Sequence, residues 1–319
     1  MPRTIDLLVI GDANPDLILG PLRAPLGFGQ REQLVDDGVL TLGGSAAITA
    51  CGAARLGLSV VFAGRVGDDD AGRYVRDRLA ERGVDVGALR LDRGLSTPLT
   101  VSLTRGAGRA IVTAQGSLGA VSGADVPERL LTGARHVHSA SFFLMPALAR
   151  DLGGLFHRAR AAGATTSLDT NDDPAGGWMS PEVAEVLRET DLLLPNAQEA
   201  RRLAGAVEDA ELDIVARHLT RLGPAVAIKD GAAGALYDDG ATTARTPAFP
   251  VEPVDTVGAG DSFDAGFIAA RLHGRTPREA LAVAGVCGAL STRRPGGTAA
   301  QPTWAQVHTP SPITGALPS

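Results

Sequence analysis

Short apolar runs alternate with helical segments along most of this chain, and that alternation constrains its fold more than any other feature. Residues 5–10, 59–63, 134–138, 165–169, 191–194 and 225–229 are apolar runs of strand length. Helical periodicity fills 45–56, 70–81, 146–161, 181–189 and 209–222, and Gly57 and Gly83 close the first two segments. Strands of this kind, separated by helices, predict a parallel sheet covered on both faces, that is, a three-layer α/β/α core with a mostly parallel central sheet. Two stretches break the rhythm. About 15–42 and 96–115 contain runs that alternate apolar and polar residues, the pattern of half-exposed antiparallel strands, and are expected to pair as a small β lid. Two further helices, about 259–273 and 276–292, precede a Gly/Pro-rich tail that starts at Pro295 and is expected to fray at its end.

Length and charge narrow the class. A domain usually takes about 100–200 residues, and these 319 residues contain no repeat and no long linker, so 1–319 is read as a single domain with its lid. Apolar residues make up 44%, enough for a sizeable core, while a net charge of −6 leaves no basic stripe to displace counterions from a nucleic acid. The chain has no run of 18 apolar residues, and the first apolar run is too short for a signal peptide. Cys51 and Cys287 stand far apart in helical patterns, so a disulfide framework is excluded and a cytoplasmic protein is expected. Lys229 is the only lysine among the 30 basic residues.

The strongest chemical signal is Asp255-Thr256-Val257-Gly258-Ala259-Gly260-Asp261-Ser262-Phe263, which opens an Ala-rich helix. The glycines let successive amides turn toward one point, and the helix start adds its positive end, so the loop reads as an anion site. A carboxylate in that first turn opposes phosphate by charge alone. A general base beside the transferring phosphoryl group gives it a reason, and a tight turn with a helix-start charge is the plainer alternative. A dinucleotide fingerprint fails because Phe263 takes the third glycine's place, so a Rossmann dehydrogenase is disfavoured, and the chain has no Gly-x-x-x-x-Gly-Lys-Ser/Thr loop.

Seven segments, in order, resemble the ribokinase-like (PfkB-type) carbohydrate kinase family: 11–16, 43–57, 67–72, 169–171, 195–199, 229–234 and 255–261. The resemblance implies ATP-dependent transfer of the γ-phosphoryl group to a hydroxyl of a monosaccharide or related small polyol. A nucleoside kinase of the same fold, or a catalytically silent ligand-binding protein on this scaffold, is the alternative. It casts Asp261 as the base and the amides of Gly258, Ala259 and Gly260 as the anion hole. Asn196 and Glu199 would organise Mg²⁺ and phosphates through water, although Asn-x-x-Glu is equally a capping motif. Lys229, Gly231 and Gly234 would bring a strand end to the nucleotide phosphates. Asp255 and the carbonyl of Val257 would form part of a monovalent-cation site for K⁺, completed by the 292–298 loop.

For the acceptor, Asn14 and Asp16 match the family's sugar-binding pair, and Gly43 and Gly44 would let a ring approach the backbone. Ile48 stands where most sugar-specific relatives carry an Asn, so the acceptor's identity is left open. Arg65, Arg105 and Arg109 are candidates for an anionic substrate group or plain surface cations. Trp178 either closes over the site or packs. The six histidines show no metal-ligand spacing, and His136 and His138 read as core or strand-end residues. A homodimer through the lid remains open.

Overall fold

Strand β1 (Ile5–Ile10) shows why the apolar runs have no polar face: Leu7 and Val9 enter one core layer, Leu8 and Ile10 enter the other, and all four are fully buried. The computed structural model describes residues 4–30, 32–106 and 108–308. After β1 come β2 (Asn14–Gly20), β3 (Asp37–Gly43), α1 (Ser45–Arg55), β4 (Val60–Gly67), α2 (Asp70–Glu81), β5 (Asp85–Asp92), β6 (Leu99–Arg105) and β7 (Gly108–Ala114). The middle third contains α3 (Glu128–Gly133), β8 (Ala134–Ser139), α4 (Pro146–Ala161), β9 (Thr165–Leu168), α5 (Pro181–Arg188), β10 (Leu192–Leu193), α6 (Ala197–Leu203) and α7 (Leu212–Thr220). The rest is β11 (Ala225–Lys229), β12 (Ala235–Asp238), β13 (Thr243–Thr246), α8 (Ala259–Leu272), α9 (Pro277–Ser291) and α10 (Trp304–His308).

Nine strands form the central sheet in the order β13-β12-β11-β10-β9-β8-β1-β4-β5. Its pairs are parallel from β11 to β5, and only the β11–β12 and β12–β13 pairs at one edge are antiparallel. Strand β1 lies between β4 and β8, so successive crossovers diverge on either side of it and open a crevice at its carboxyl end. One core layer holds α1, α8 and α9 against the sheet, the other α4, α5 and α7. Burying each leucine of these layers contributes about 1.5–3 kcal/mol. Helices α8 and α9 pack closely because Gly266 has no side chain; a Cβ there would meet Cys287 Sγ at 2.8 Å. Both cysteines are buried free thiols, pushed up to about 12 by burial. Among the described residues no helix is long and apolar enough to cross a membrane.

The lid is a separate four-stranded sheet, ordered β3-β2-β6-β7. It uses the two segments expected, but one expectation is corrected: its central pair, β2 with β6, is parallel, and only the outer pairs are antiparallel. β2 and β6 belong to different excursions from the core, both leaving from the same end of the sheet, so neither hairpin geometry nor loop length governs their pairing. Ala107, in the expected turn between β6 and β7, and the end of the tail from 309 lie outside the described residues.

Candidate active site

Gly258 caps α8 with φ +72°. A Cβ at this position would meet Gly297 Cα at 2.5 Å and Ile48 Cγ2 at 3.1 Å, so the loop turns tightly over its neighbours. The amides of Gly258, Gly260 and Asp261 have no acceptor among the described residues, whereas the Ala259 amide donates to the Thr256 carbonyl at 3.3 Å. Open amides at the start of a fourteen-residue helix are ready for an anion. Asp255 fixes the loop from behind: its two oxygens accept the amides of Val257 at 3.0 Å and Gly296 at 2.8 Å. The Thr292 carbonyl accepts the amides of Val254 and Asp255. Asp255 thus ties together the two loops named for the monovalent cation.

Asp261 is buried in the first turn of α8, and burial, followed by the charge of Asp169, pushes its carboxyl up to about 8. A Ser45 hydroxyl hydrogen bond and the Lys229 charge act in the opposite sense. Ser45 is held in turn. Asn171, at φ +54°, accepts the Ser141 amide at 2.7 Å and donates Nδ2 to Ser45 Oγ at 3.0 Å. Asp12, just after β1, accepts the amides of Ala46 at 3.0 Å and Ser45 at 3.2 Å at the start of α1, and its charge acts on both Asp16 and Asp261. Asp12, Ser45 and Asn171 carried no assigned role in the sequence reading, although the resemblance passes through their segments.

Lys229 turns into the molecule. Its Nζ donates to Asp169 Oδ2 at 2.6 Å and to Asp264 Oδ1 and Oδ2 at 3.0 and 3.2 Å, inside the molecule. Its ammonium is therefore engaged by two carboxylates. Asp264 was missed, though an Asp one turn past Asp261 in an otherwise apolar helix was a readable signal. Glu199 and Asn196 form the capping box: Asn196 Oδ1 accepts the Gln198 and Glu199 amides, and Glu199 Oε2 accepts the Asn196 amide at 2.8 Å. Burial and the nearby Asp169 push Glu199 up to about 7.

On the lid side, Asn14 Nδ2 donates to Asp16 Oδ1 at 2.7 Å and to Thr100 Oγ1 at 3.1 Å, and Thr100 meets Thr113 at 3.0 Å. Burial raises Asp16 to about 6. Gly43 is required here because a Cβ would fall on the Asp16 carboxylate, and Gly44, at φ +90°, presses against Asp12 and Ala13. Ile48 is buried with its methyl groups against Gly258 and Gly297.

Other expected residues separate. Gly231, φ +52°, faces open space, while Gly234 is a packing position whose missing Cβ is replaced by the Thr246 carbonyl. Arg65 is bound to Asp125 at 2.8 Å and Asp92 at 3.1 Å; Arg105 and Arg109 are exposed on the lid, and the Arg109 charge reaches Asp16. Trp178 packs edge-on against Phe143 with Arg202 over its ring. His136 and His138 are buried side by side on Ser167, held down to about 3 and about 4 by burial.

The comparisons agree over nearly the whole length. The description pfkB family carbohydrate kinase matches residues 4–304. The ATP-dependent ribose-1-phosphate kinase of Halopiger xanaduensis is 33% identical over 297 residues, 93% of this chain and 95% of that protein. The aminoimidazole riboside kinase of Salmonella typhimurium is 32% identical over 316 residues, covering 94% and 93%. The structure of Arabidopsis thaliana ribokinase complexed with ribose and ATP superposes with a TM-score of 0.83 at 25% identity, covering 97% of this chain and 98% of that one. With this fold and this extent of match, the chain belongs to the pfkB family of carbohydrate kinases and is a carbohydrate phosphotransferase.

Proposed function

We propose that the chain works as one ATP-dependent kinase domain in which Asp261 takes the proton from an acceptor hydroxyl while the α8 amides hold the γ-phosphoryl group. The observation that carries this reading is the pairing, in one helix turn, of open backbone amides with a buried carboxylate. The acceptor oxygen gains its bond to phosphorus as the bond to the ADP oxygen breaks, and the hydroxyl proton passes to Asp261. Most of the catalysis is then positioning and charge stabilisation by groups already in place. Asp16 and Asn14 bind the acceptor's hydroxyls, with Gly43 and Gly44 allowing its close approach. The lid excludes water that Asp261 would otherwise activate against ATP.

Gly231, open at the end of β11, gives the nucleotide room at the strand end, and Gly234 shapes the turn behind it. Glu199 suits Mg²⁺: a hard carboxylate oxygen donor in a site crowded with negative charge, at the start of a helix. Glu199 would hold a divalent cation, which would supply charge neutralisation at the phosphates. Asp255 and the Val257 carbonyl are the oxygen ligands offered to K⁺. The acceptor is a monosaccharide or related polyol. Ile48, which offers no hydrogen bond to a hydroxyl, favours a riboside as the second reading. Strand β7, exposed along its length, is the lid surface on which a homodimer would form, and two buried free thiols suit a cytoplasmic protein.

The test is Asp261→Asn, assayed by ADP release over pentoses, hexoses, ribosides and sugar phosphates. Loss of a general base lowers kcat at least ~10²-fold with acceptor KM little changed. Near-wild-type turnover removes Asp261 from the mechanism.

A further inference from the structure

We propose that Lys229 is a positioning residue for phosphoryl transfer: by joining Asp169 at the end of β9 to Asp264 on α8, it fixes the first turns of α8 on the sheet and keeps Asp261 ionisable, and it does not bind the nucleotide phosphates. This inference rests on the reading of Asp261 as the base.

The geometry is that of a buried clasp. The side chains of Lys229, Asp169 and Asp264 are 12%, 2% and 0% exposed, and the ammonium is within hydrogen-bond distance of both carboxylates. Asp261 and Asp264 are one turn apart, and oxygens of Asp169, Asp261 and Asp264 lie within 4.8 Å of one another. The ammonium also backs the anion loop, since a Cβ on Gly260 would sit 3.4 Å from Nζ. Asp169 and Asp264 therefore share one side-chain cation beside Asp261.

The groups around Asp261 come from every element packed on it. Asp12 follows β1, Asp169 follows β9, Lys229 ends β11, Asp264 lies on α8, and the Ser45 hydroxyl comes from α1. Glu199 at the start of α6 and the neutral His138 on β8 face Asp169 and Lys229. Among these only Lys229 is positive. It holds Asp169 below the usual carboxylate range against the effect of burial, while Asp264 stays well above that range. Removing the ammonium leaves Asp261 facing uncompensated negative charge, so its proton is held more tightly and the base form appears only at higher pH.

Lys229→Gln, assayed across pH, is expected to move the acidic limb of kcat/KM upward by about one unit, ~10-fold less activity at neutral pH. The KM for ATP stays within about twofold of wild type, because no transition-state or ground-state contact to phosphate has been lost. Lys229→Gln/Asp169→Asn, which removes the ionised carboxylate together with the cation, moves the limb back. A rise in the KM for ATP with the limb unmoved makes Lys229 a phosphate ligand and overturns the proposal.

Lys229→Gln strips the cation from two buried carboxylates and is at risk of not folding, so the intact chain supplies a second readout. Protein grown on ε-¹³C-lysine carries a single labelled lysine. Without nucleotide its signal is expected to step with pH, and Asp261→Asn abolishes that step. A signal flat across the limb overturns the clasp while leaving Asp261 as the base. Wild-type turnover by Asp261→Asn removes the base and the proposal with it.

Discussion

Gly258→Ala tests the anion loop through its backbone alone. Alanine at φ +72° costs about 1–2 kcal/mol for the left-handed conformation. The added methyl carbon would also lie 2.5 Å from Gly297 Cα, where ordinary contact begins at 3.4 Å. The loop must yield by 0.9 Å, and its amides move with it. A displacement of about 1 Å at a phosphoryl-transfer centre costs on the order of 10²-fold in rate. Strain of about 1–3 kcal/mol is small beside a typical domain stability of about 5–15 kcal/mol, so the variant folds. Gly274→Ala is the control: it has φ +76° and nothing within 4 Å, just beyond the far end of α8. Both variants lose melting temperature, Gly258→Ala the more because of its added clash, and only Gly258→Ala loses kcat in the ADP-release assay. Equal turnover in the two variants would refute the cradle.

Asp16→Ala is expected to raise acceptor KM at least ~10-fold while leaving KM for ATP unchanged, as the loss of a charge-assisted contact requires; unaltered acceptor affinity places the sugar elsewhere. The pH dependence of stability has a definite sign. Asp16, Glu199 and Asp261 are raised to about 6, about 7 and about 8, so the folded state holds their protons more tightly than the unfolded chain. Their contribution is complete below about pH 4 and is lost as pH rises through 6 to 8. Asp261→Asn therefore melts close to wild type at pH 5 and above it at pH 8 to 9. A melting difference that does not change with pH contradicts the buried-carboxyl assignment.

What could be read in the sequence was what local chemistry decides. β1 and β11 were legible because their interiors are apolar on both faces, and α4 because Pro146 starts it and its apolar stripe runs unbroken to Ala161. β5 escaped notice because an edge strand reading DVGALRLD is mostly half-exposed or exposed and offers no clean period. β12 and β13 escaped because four-residue strands around an Asp-Gly turn fall below any window of periodicity. The loop at Gly258 was visible since glycine spacing and a following helix are local. The carboxylate partners of Lys229 were not legible for the opposite reason. They lie 60 residues before and 35 residues after it, and only the sheet order brings β9, β11 and α8 together.

The most direct measurement is a crystal structure with a non-hydrolysable ATP analogue and an accepted sugar or riboside bound together. The account predicts the terminal phosphorus against the amides of Gly258, Gly260 and Asp261, with the acceptor oxygen in line and within ~3 Å of the Asp261 carboxylate. A terminal phosphate bound in another crevice, or an acceptor hydroxyl beyond reach of Asp261, would contradict it.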